Sequence, residues 1–405
     1  MKVFIIHTRR TAYGVVRCLA QTSCTIFGAD TVRNELAHSK YLKDFFLIPE
    51  ITERSEKDFL EVLIALAHKM DFERDKPMVF TGKDDYLLFF ARHHATLSRY
   101  FIFSFEPSYA RLTRALDKLL LAETALALGV TAPRSHSLKE FEREEDAPPF
   151  PVIIKPAIKC RPEVDVVRKA FRLRVCEDLS RLKVAVRALE DLQQPYIIQE
   201  YIPGGDEALF TCGVYCFQGR LVAWSTSRKI RQFPPLTGEC SFGETVHLPE
   251  LVEPARRLVE AIGLSGIAQI EFKKHNGRFY LIEINPRIWS WHEIHRFVGV
   301  NFVLIAVKHL LGLEAFDRVV APRPERRTWI FLSMDILHNV FLQKNASWFR
   351  VLCDFIGADA EAFWNPRDPI PAWEHWRKTI PYIASQISAR RRRLTSKHPP
   401  ARPGG

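Results

Sequence analysis

Leu281-Ile282-Glu283-Ile284-Asn285-Pro286-Arg287 is the stretch that decides how this 405-residue sequence is understood. On a strand alternate residues share a face, so Glu283, Asn285 and Arg287 line one side while Ile282 and Ile284 bury the other. A carboxylate, an amide oxygen and a guanidinium are a poor choice for a core. They suit a hard cation held by oxygens, with an arginine beside an anion. Glu271 lies on the preceding strand, and the turn between them falls at His275, Asn276 and Gly277. A two-residue turn sets Glu271 opposite Ile282; one extra residue, in a bulged turn near Gly277, sets it opposite Glu283. Facing carboxylates repel unless a metal bridges them. A solvated face laced with salt bridges explains the hairpin equally well, so the rest of the chain has to decide.

Working outward, Lys155 ends the apolar run Pro151-Val152-Ile153-Ile154. A lysine there is costly unless it meets an anion, although a strand-end lysine can also snorkel to water. Ile197-Ile198-Gln199-Glu200-Tyr201-Ile202 then leaves a strand into Pro203-Gly204-Gly205-Asp206-Glu207. Such a bend exposes backbone groups to a flat heteroaromatic edge, with Glu207 placed to take hydroxyls.

The first hundred residues alternate β and α: strands at Val3–Ile6, Thr25–Phe27 and Met78–Thr81, helices at Ala12–Ala20 and Lys57–Lys69. That order implies a parallel sheet covered by helices. No G-x-G-x-x-G follows the first strand, so a dinucleotide fingerprint is absent. One helix is expected over Leu112–Leu128, stopping at Gly129, and Glu140–Pro151 resembles a linker. Strands follow at Val152–Lys155, Tyr196–Gln199, Leu209–Phe217, Leu221–Thr226, Ile267–Lys273 and Phe279–Ile284, with a helix at Leu179–Leu192. After Leu313 the pattern turns polar and aromatic. The expected organisation is α/β and α+β: an N-terminal parallel domain (1–115), a small lobe (116–198), a large lobe with the metal site (199–315) and a C-terminal extension (316–405).

The net charge is +11, and part of the excess sits at Arg390–Arg393, Lys397 and Arg402. That Pro- and Gly-ended tail is expected to be frayed and solvated. Phe, at 29 residues, indicates large cores. The eight cysteines show no zinc spacing; Cys212 and Cys216 share one strand face, where packing is the expected role. No signal peptide or apolar run of membrane-spanning length occurs, which points to a reduced cytoplasmic protein. No basic stripe interleaved with aromatics marks a specific nucleic-acid site.

The ordered series Lys118, Lys155, Gln199-Glu200-Tyr201-Ile202, Glu207, Glu271 and Glu283-Ile284-Asn285-Pro286-Arg287 resembles the ATP-grasp superfamily, and more narrowly its predicted carboxylate–amine ligases. Gly14-Val15-Val16-Arg17, Ser39-Lys40-Tyr41 and the Lys229–Ser241 stretch are similar to that subgroup as well. The resemblance implies an ADP-forming C–N ligase acting on a small-molecule carboxylate and an amine, with ATP and Mg²⁺ (Mn²⁺ as the alternative ion), and is compatible with homo-oligomers. It implies that Lys118 and Lys155 touch the phosphates, that Glu200, Tyr201 and Ile202 form the adenine hinge, and that Glu207 holds the ribose. Glu271, Glu283 and Asn285 would bind the metal. Arg287 would stabilise charge during phosphoryl transfer, and Lys229 and Arg231 would contact the γ-phosphate or substrate carboxylate. The sequence departs from the family in two places. Ala157–Pro162 lacks lid glycines, with Lys159, Arg161 and Lys169 as charged substitutes. The bulky Trp289-Ser290-Trp291-His292 narrows the acceptor pocket, and His292 is expected to pack rather than catalyse. A non-catalytic nucleotide-binding module is the competing function.

Overall fold

The computed structural model describes residues 1–7, 9–52, 55–143, 147–157, 173–235, 238–342 and 348–396. Lys159, Arg161 and Lys169 lie outside them. The N-terminal domain is a parallel sheet of β1 (Lys2–Ile6), β2 (Thr25–Asp30), β3 (Leu42–Leu47), β4 (Met78–Thr81) and β5 (Ile102–Phe103), in the order β3-β2-β1-β4-β5. Helices α1 (Arg9–Leu19), α2 (Glu56–Lys69) and α3 (Asp84–Arg92) cover it. Because both sheet faces are covered, β1 reads as a continuous apolar run rather than an alternating one. Helix α2 buries Phe59, Leu63 and Ala67, four residues apart, and carries acids in its first turn. Much of the phenylalanine excess is here: Phe4, Phe59, Phe72, Phe89, Phe90 and Phe101 are fully buried, and Phe59 meets Phe89 edge-on at 4.8 Å.

The single helix expected over 112–128 is instead two, Tyr109–Leu116 and Lys118–Ala127. Asp117 breaks it. Its backbone is extended, and its carboxylate accepts hydrogen bonds from the Leu119 and Leu120 N–H groups at 2.9 and 3.1 Å. Lys118 thereby becomes the first residue of a new helix. The small lobe follows, a four-stranded antiparallel sheet of β6 (Ser135–His136), β7 (Val152–Pro156), β8 (Arg174–Cys176) and β9 (Tyr196–Glu200) in the order β6-β9-β7-β8. The helix Leu179–Glu190 buries Leu182, Ala185, Val186 and Leu189 against it.

The large lobe is built on seven strands: β10 (Leu209–Phe217), β11 (Arg220–Phe233), β12 (Glu239–Thr245), β13 (Gly266–His275), β14 (Arg278–Asn285), β15 (Thr328–Ile330) and β16 (Ala360–Glu361). Their order is β14-β13-β10-β11-β12-β15-β16. The boundary expected at 315/316 therefore falls inside one sheet, because two short strands of the extension continue it. Cys212 and Cys216 pack with Val214, Ile270 and Ile284 in one core, as expected of a shared strand face.

The β13–β14 hairpin corrects the expected turn. Asn276 and Gly277 form a tight two-residue connection, both at positive φ (46° and 77°), between His275 and Arg278. The extra residue sits further along, where Phe272 pairs with Leu281 but Glu271 pairs with Glu283. This bulge passes over Ile282 and turns Leu281 and Ile284, three residues apart, both into the core, so Leu281 rather than Ile282 is the buried partner of Ile284.

The extension folds back onto the N-terminal domain. Asp368 accepts from Tyr13 Oη (3.1 Å), Ser39 Oγ (2.6 Å) and the Lys40 N–H (3.1 Å). Arg17 donates to the Glu361 and Ala362 carbonyls at 2.6 and 3.0 Å and pairs with buried Glu293. Part of the segment expected to fray is helical: the last helix runs Ile370–Ser396 and takes in Arg390–Arg393, while Lys397 and Arg402 lie outside the described residues. The segment before Pro399 has good helix formers and no glycine.

Candidate active site

Strand register on the face of the large sheet away from the Ile270–Ile284 core assembles two polar rows. Glu283, Glu271, Thr211 and Ser227 succeed one another across β14, β13, β10 and β11, and Asn285, Gln269, Gly213 and Ser225 form the next row. Asn285 Nδ2 donates to Glu283 Oε1 at 3.0 Å and to Gln269 Oε1 at 3.3 Å, and Gln269 Nε2 donates to Thr211 Oγ1 at 3.2 Å. Lys229 reaches across from β11 to place its ammonium 3.1 Å from Glu271 Oε2. Burial pulls the Lys229 pKa down, but the Glu271 carboxylate outweighs it, so the net direction is upward. Among the described residues no three His, Cys, Asp or Glu side chains cluster as metal ligands. The donor set is two carboxylates and an amide, all hard oxygens suited to Mg²⁺, with Lys229 standing where a cation's charge is wanted.

Arg287 extends this chain toward the N-terminal domain. Its Nη2 lies 3.4 Å from Asn285 Oδ1, and its Nε donates to Asp84 Oδ1 at 2.5 Å. Asp84 is buried at the start of α3, beyond the C-terminal end of β4. Sequence reasoning missed it; the available signal was the Asp84-Asp85 pair directly after a buried strand.

The bulky residues after Arg287 occupy space that two glycines leave open. A Cβ at Gly213 would stand 2.5 Å from Trp289 Cη2, and one at Gly243 would stand 2.8 Å from Trp291 Cζ3. His292 is buried, its Nδ1 2.6 Å from the Trp289 carbonyl oxygen, and burial, with a further push from Arg17, lowers its pKa to about 4. His295 beside it is lowered to about 3 by burial, then by His292. Both are packing groups at neutral pH.

In the small lobe the Asp117 break brings Lys118 to the end of β7. The Lys118 N–H and ammonium approach the Ala157 carbonyl at 3.2 and 3.5 Å, two residues beyond buried Lys155. Glu200 closes β9 and accepts from the Arg134 N–H at 3.3 Å. Tyr201 carries the Lys273 ammonium 5.4 Å from its ring centroid, Ile202 is buried and Glu207 is exposed. Asp206, also unforeseen, ties the bend to β11 by accepting the Gln232 N–H and Nε2, both at 2.9 Å.

Arg231, two residues beyond Lys229 on β11, is held by the C-terminal extension. Its guanidinium meets Asp335 at 2.7 and 2.9 Å and Asp354 at 2.7 Å, and it stacks on Phe242. The partners come from the extension, beyond the reach of any local pattern.

Residues 193–330 match the family described as "ATP-grasp in the biosynthetic pathway with Ter operon". Most of the chain is also similar to solved structures of ligases and carboxylases. An L-amino acid ligase from Bacillus licheniformis aligns at TM-score 0.56 and 17% identity over 76% of this chain and 74% of that one. N5-carboxyaminoimidazole synthetase from Staphylococcus aureus aligns at 0.60 and 12%, over 84% and 85%. The biotin carboxylase domain of 2-oxoglutarate carboxylase from Hydrogenobacter thermophilus, a complex with MgADP and bicarbonate, aligns at 0.61 and 16%, over 81% and 73%. The chain carries the ATP-grasp fold: a parallel α/β domain followed by two sheet-bearing lobes.

Proposed function

We propose that this ATP-grasp chain is an ATP-dependent ligase that activates a small carboxylate as an acyl phosphate, releases ADP and delivers the acyl group to an amine. The observation that carries this is the convergence of Glu271, Glu283, Asn285 and Lys229 on one sheet face, with Arg287 at its edge. ATP with Mg²⁺ supplies an electrophilic γ-phosphoryl group. Glu271, Glu283 and Asn285 would hold the ion, Lys118 and Lys155 the phosphates, Glu200, Tyr201 and Ile202 the adenine, and Glu207 the ribose.

Phosphoryl transfer asks the protein for positioning and charge neutralisation rather than covalent help. A carboxylate approaching a phosphoryl oxygen meets repulsion of about 4 kcal/mol per charge pair at 4 Å and an effective dielectric of 20. Arg287 and Lys229 are the cations placed to offset it. Attack of the carboxylate oxygen on phosphorus forms the C–O–P bond as the β–γ bond breaks and ADP leaves. The amine nitrogen then attacks the acyl carbon, phosphate departs with the C–O bonding pair, and the nitrogen loses its proton.

The test is nucleotide product analysis across a panel of amino acids and small carboxylates. ADP and phosphate, formed only with a competent acid–amine pair, support the ligase. AMP and pyrophosphate would discard the acyl-phosphate route, and tight ATP binding without turnover under any pair would favour the non-catalytic module.

A further inference from the structure

The C-terminal extension presents a surface that neither lobe uses. The helix Ile370–Ser396 buries Ala372, His375 and Ile383 on one side. On the other, Ile370, Trp373, Arg377 and Ile380 recur at helical spacing and face outward, with Trp373 70% and Ile380 58% exposed. A second outward stripe, Phe349, Leu352 and Ile356, runs along the helix Trp348–Ile356, with Phe349 76% exposed. Both helices pack on the same neighbour, the helix Leu332–Leu342, so the stripes belong to one appendage. Large apolar side chains repeated turn after turn are not the scattered singles of an ordinary surface.

The same segment concentrates the chain's charge. From Trp364 onward the sequence has nine lysines and arginines against two acids, Asp368 and Glu374. Asp368 is buried on Tyr13 and Ser39, and Glu374 is paired with Arg377 at 2.7 Å. Lys378 meets Glu35 at 3.4 Å, and over the sequence the segment carries seven more cations than acids.

We propose that this face docks peripherally on an anionic lipid surface, with Trp373 and Ile380 at the headgroup boundary and the basic residues drawn to lipid phosphates. Two weak signals on one element are what reversible surface attachment requires: an apolar helix face and a cluster of cations. Tryptophan suits that depth, with an apolar ring and a polar N–H. No helix among the described residues is long and apolar enough to cross a membrane, so the contact is superficial. A second copy is the poorer occupant, because it would bring an equally basic segment against this one.

Cosedimentation of the full chain with vesicles tests this, using phosphatidylcholine alone or with about one part in three phosphatidylglycerol. Binding to the anionic vesicles alone, reversed by high salt, is expected. The double substitution Trp373→Glu, Ile380→Glu should weaken it about tenfold or more with the melting temperature unchanged, since both side chains are exposed. Three results would overturn the proposal. Wild type stays in the supernatant with anionic vesicles; the double variant binds as wild type does, leaving only diffuse attraction by the tail; or wild type sediments as a dimer that the double variant dissolves, assigning the face to a second copy.

Discussion

Arg287 Nε donates to Asp84 Oδ1 at 2.5 Å, joining a strand-end arginine of the large lobe to the first residue of α3, 203 positions earlier. The N-terminal domain thus orients the cation proposed to meet the transferring phosphoryl group. Arg287→Ala should cost roughly 10³-fold in kcat with the KM for ATP little changed. Asp84→Ala should lower kcat by a smaller factor. The double variant should be no slower than Arg287→Ala alone, because Asp84 acts through Arg287. Additive losses in the kinetic cycle would show that Asp84 acts on the substrate instead.

The two facing carboxylates should separate in their effects. Glu283 is half-buried, so Glu283→Gln should raise the Mg²⁺ concentration needed for turnover while changing stability by about 1 kcal/mol or less. Glu271→Gln removes the anion that holds buried Lys229, so it should destabilise the fold by roughly 3 kcal/mol or more as well as reduce activity. Urea unfolding alongside a Mg²⁺ titration of rate distinguishes them.

Arg231→Ala should behave as a stability variant. It leaves Asp335, buried and also accepting from Ser241, without its cation, at a cost of about 3–5 kcal/mol. Denaturant midpoints and ADP formation by the remaining folded fraction check this. An unchanged midpoint with lost turnover would restore Arg231 to the chemistry.

Stability should fall on mild acidification. Burial holds His292 at about 4 and His295 at about 3, against 6.5 in the unfolded chain. Between those values the unfolded chain binds protons that the folded one refuses, so stability rises with pH across the window and is lost as pH falls through it. Each pH unit is worth about 1.4 kcal/mol per histidine. Above pH 7 both rings are neutral in both states and the contribution is flat. Melting temperatures from pH 7 to 4 should drop less steeply for His295→Gln.

The sequence by itself determined what is periodic. The buried run of β1, the 3.6-residue spacing of α2 and the alternation that puts Glu283 and Asn285 on one strand face all report local burial, which leaves its mark every second or fourth residue. That also made Lys155 conspicuous, as a charge ending an apolar strand, and exposed the Pro203-Gly204-Gly205 bend. Tertiary structure alone decided the rest. The bulge that sets Glu271 opposite Glu283 lies at Ile282, because the core takes Leu281 as well as Ile284, a packing demand from the helix side of the sheet that the hairpin's own residues do not display. The resemblance gave Arg231 to the γ-phosphate or substrate carboxylate, and only the fold shows that it pairs with Asp335, 104 positions away. Lys118 awaited the break at Asp117, and Arg287 awaited Asp84. Periodicity tells which way a side chain points; it cannot tell what the chain brings back to meet it, because that partner is chosen by the closure of loops whose length leaves no trace at either end.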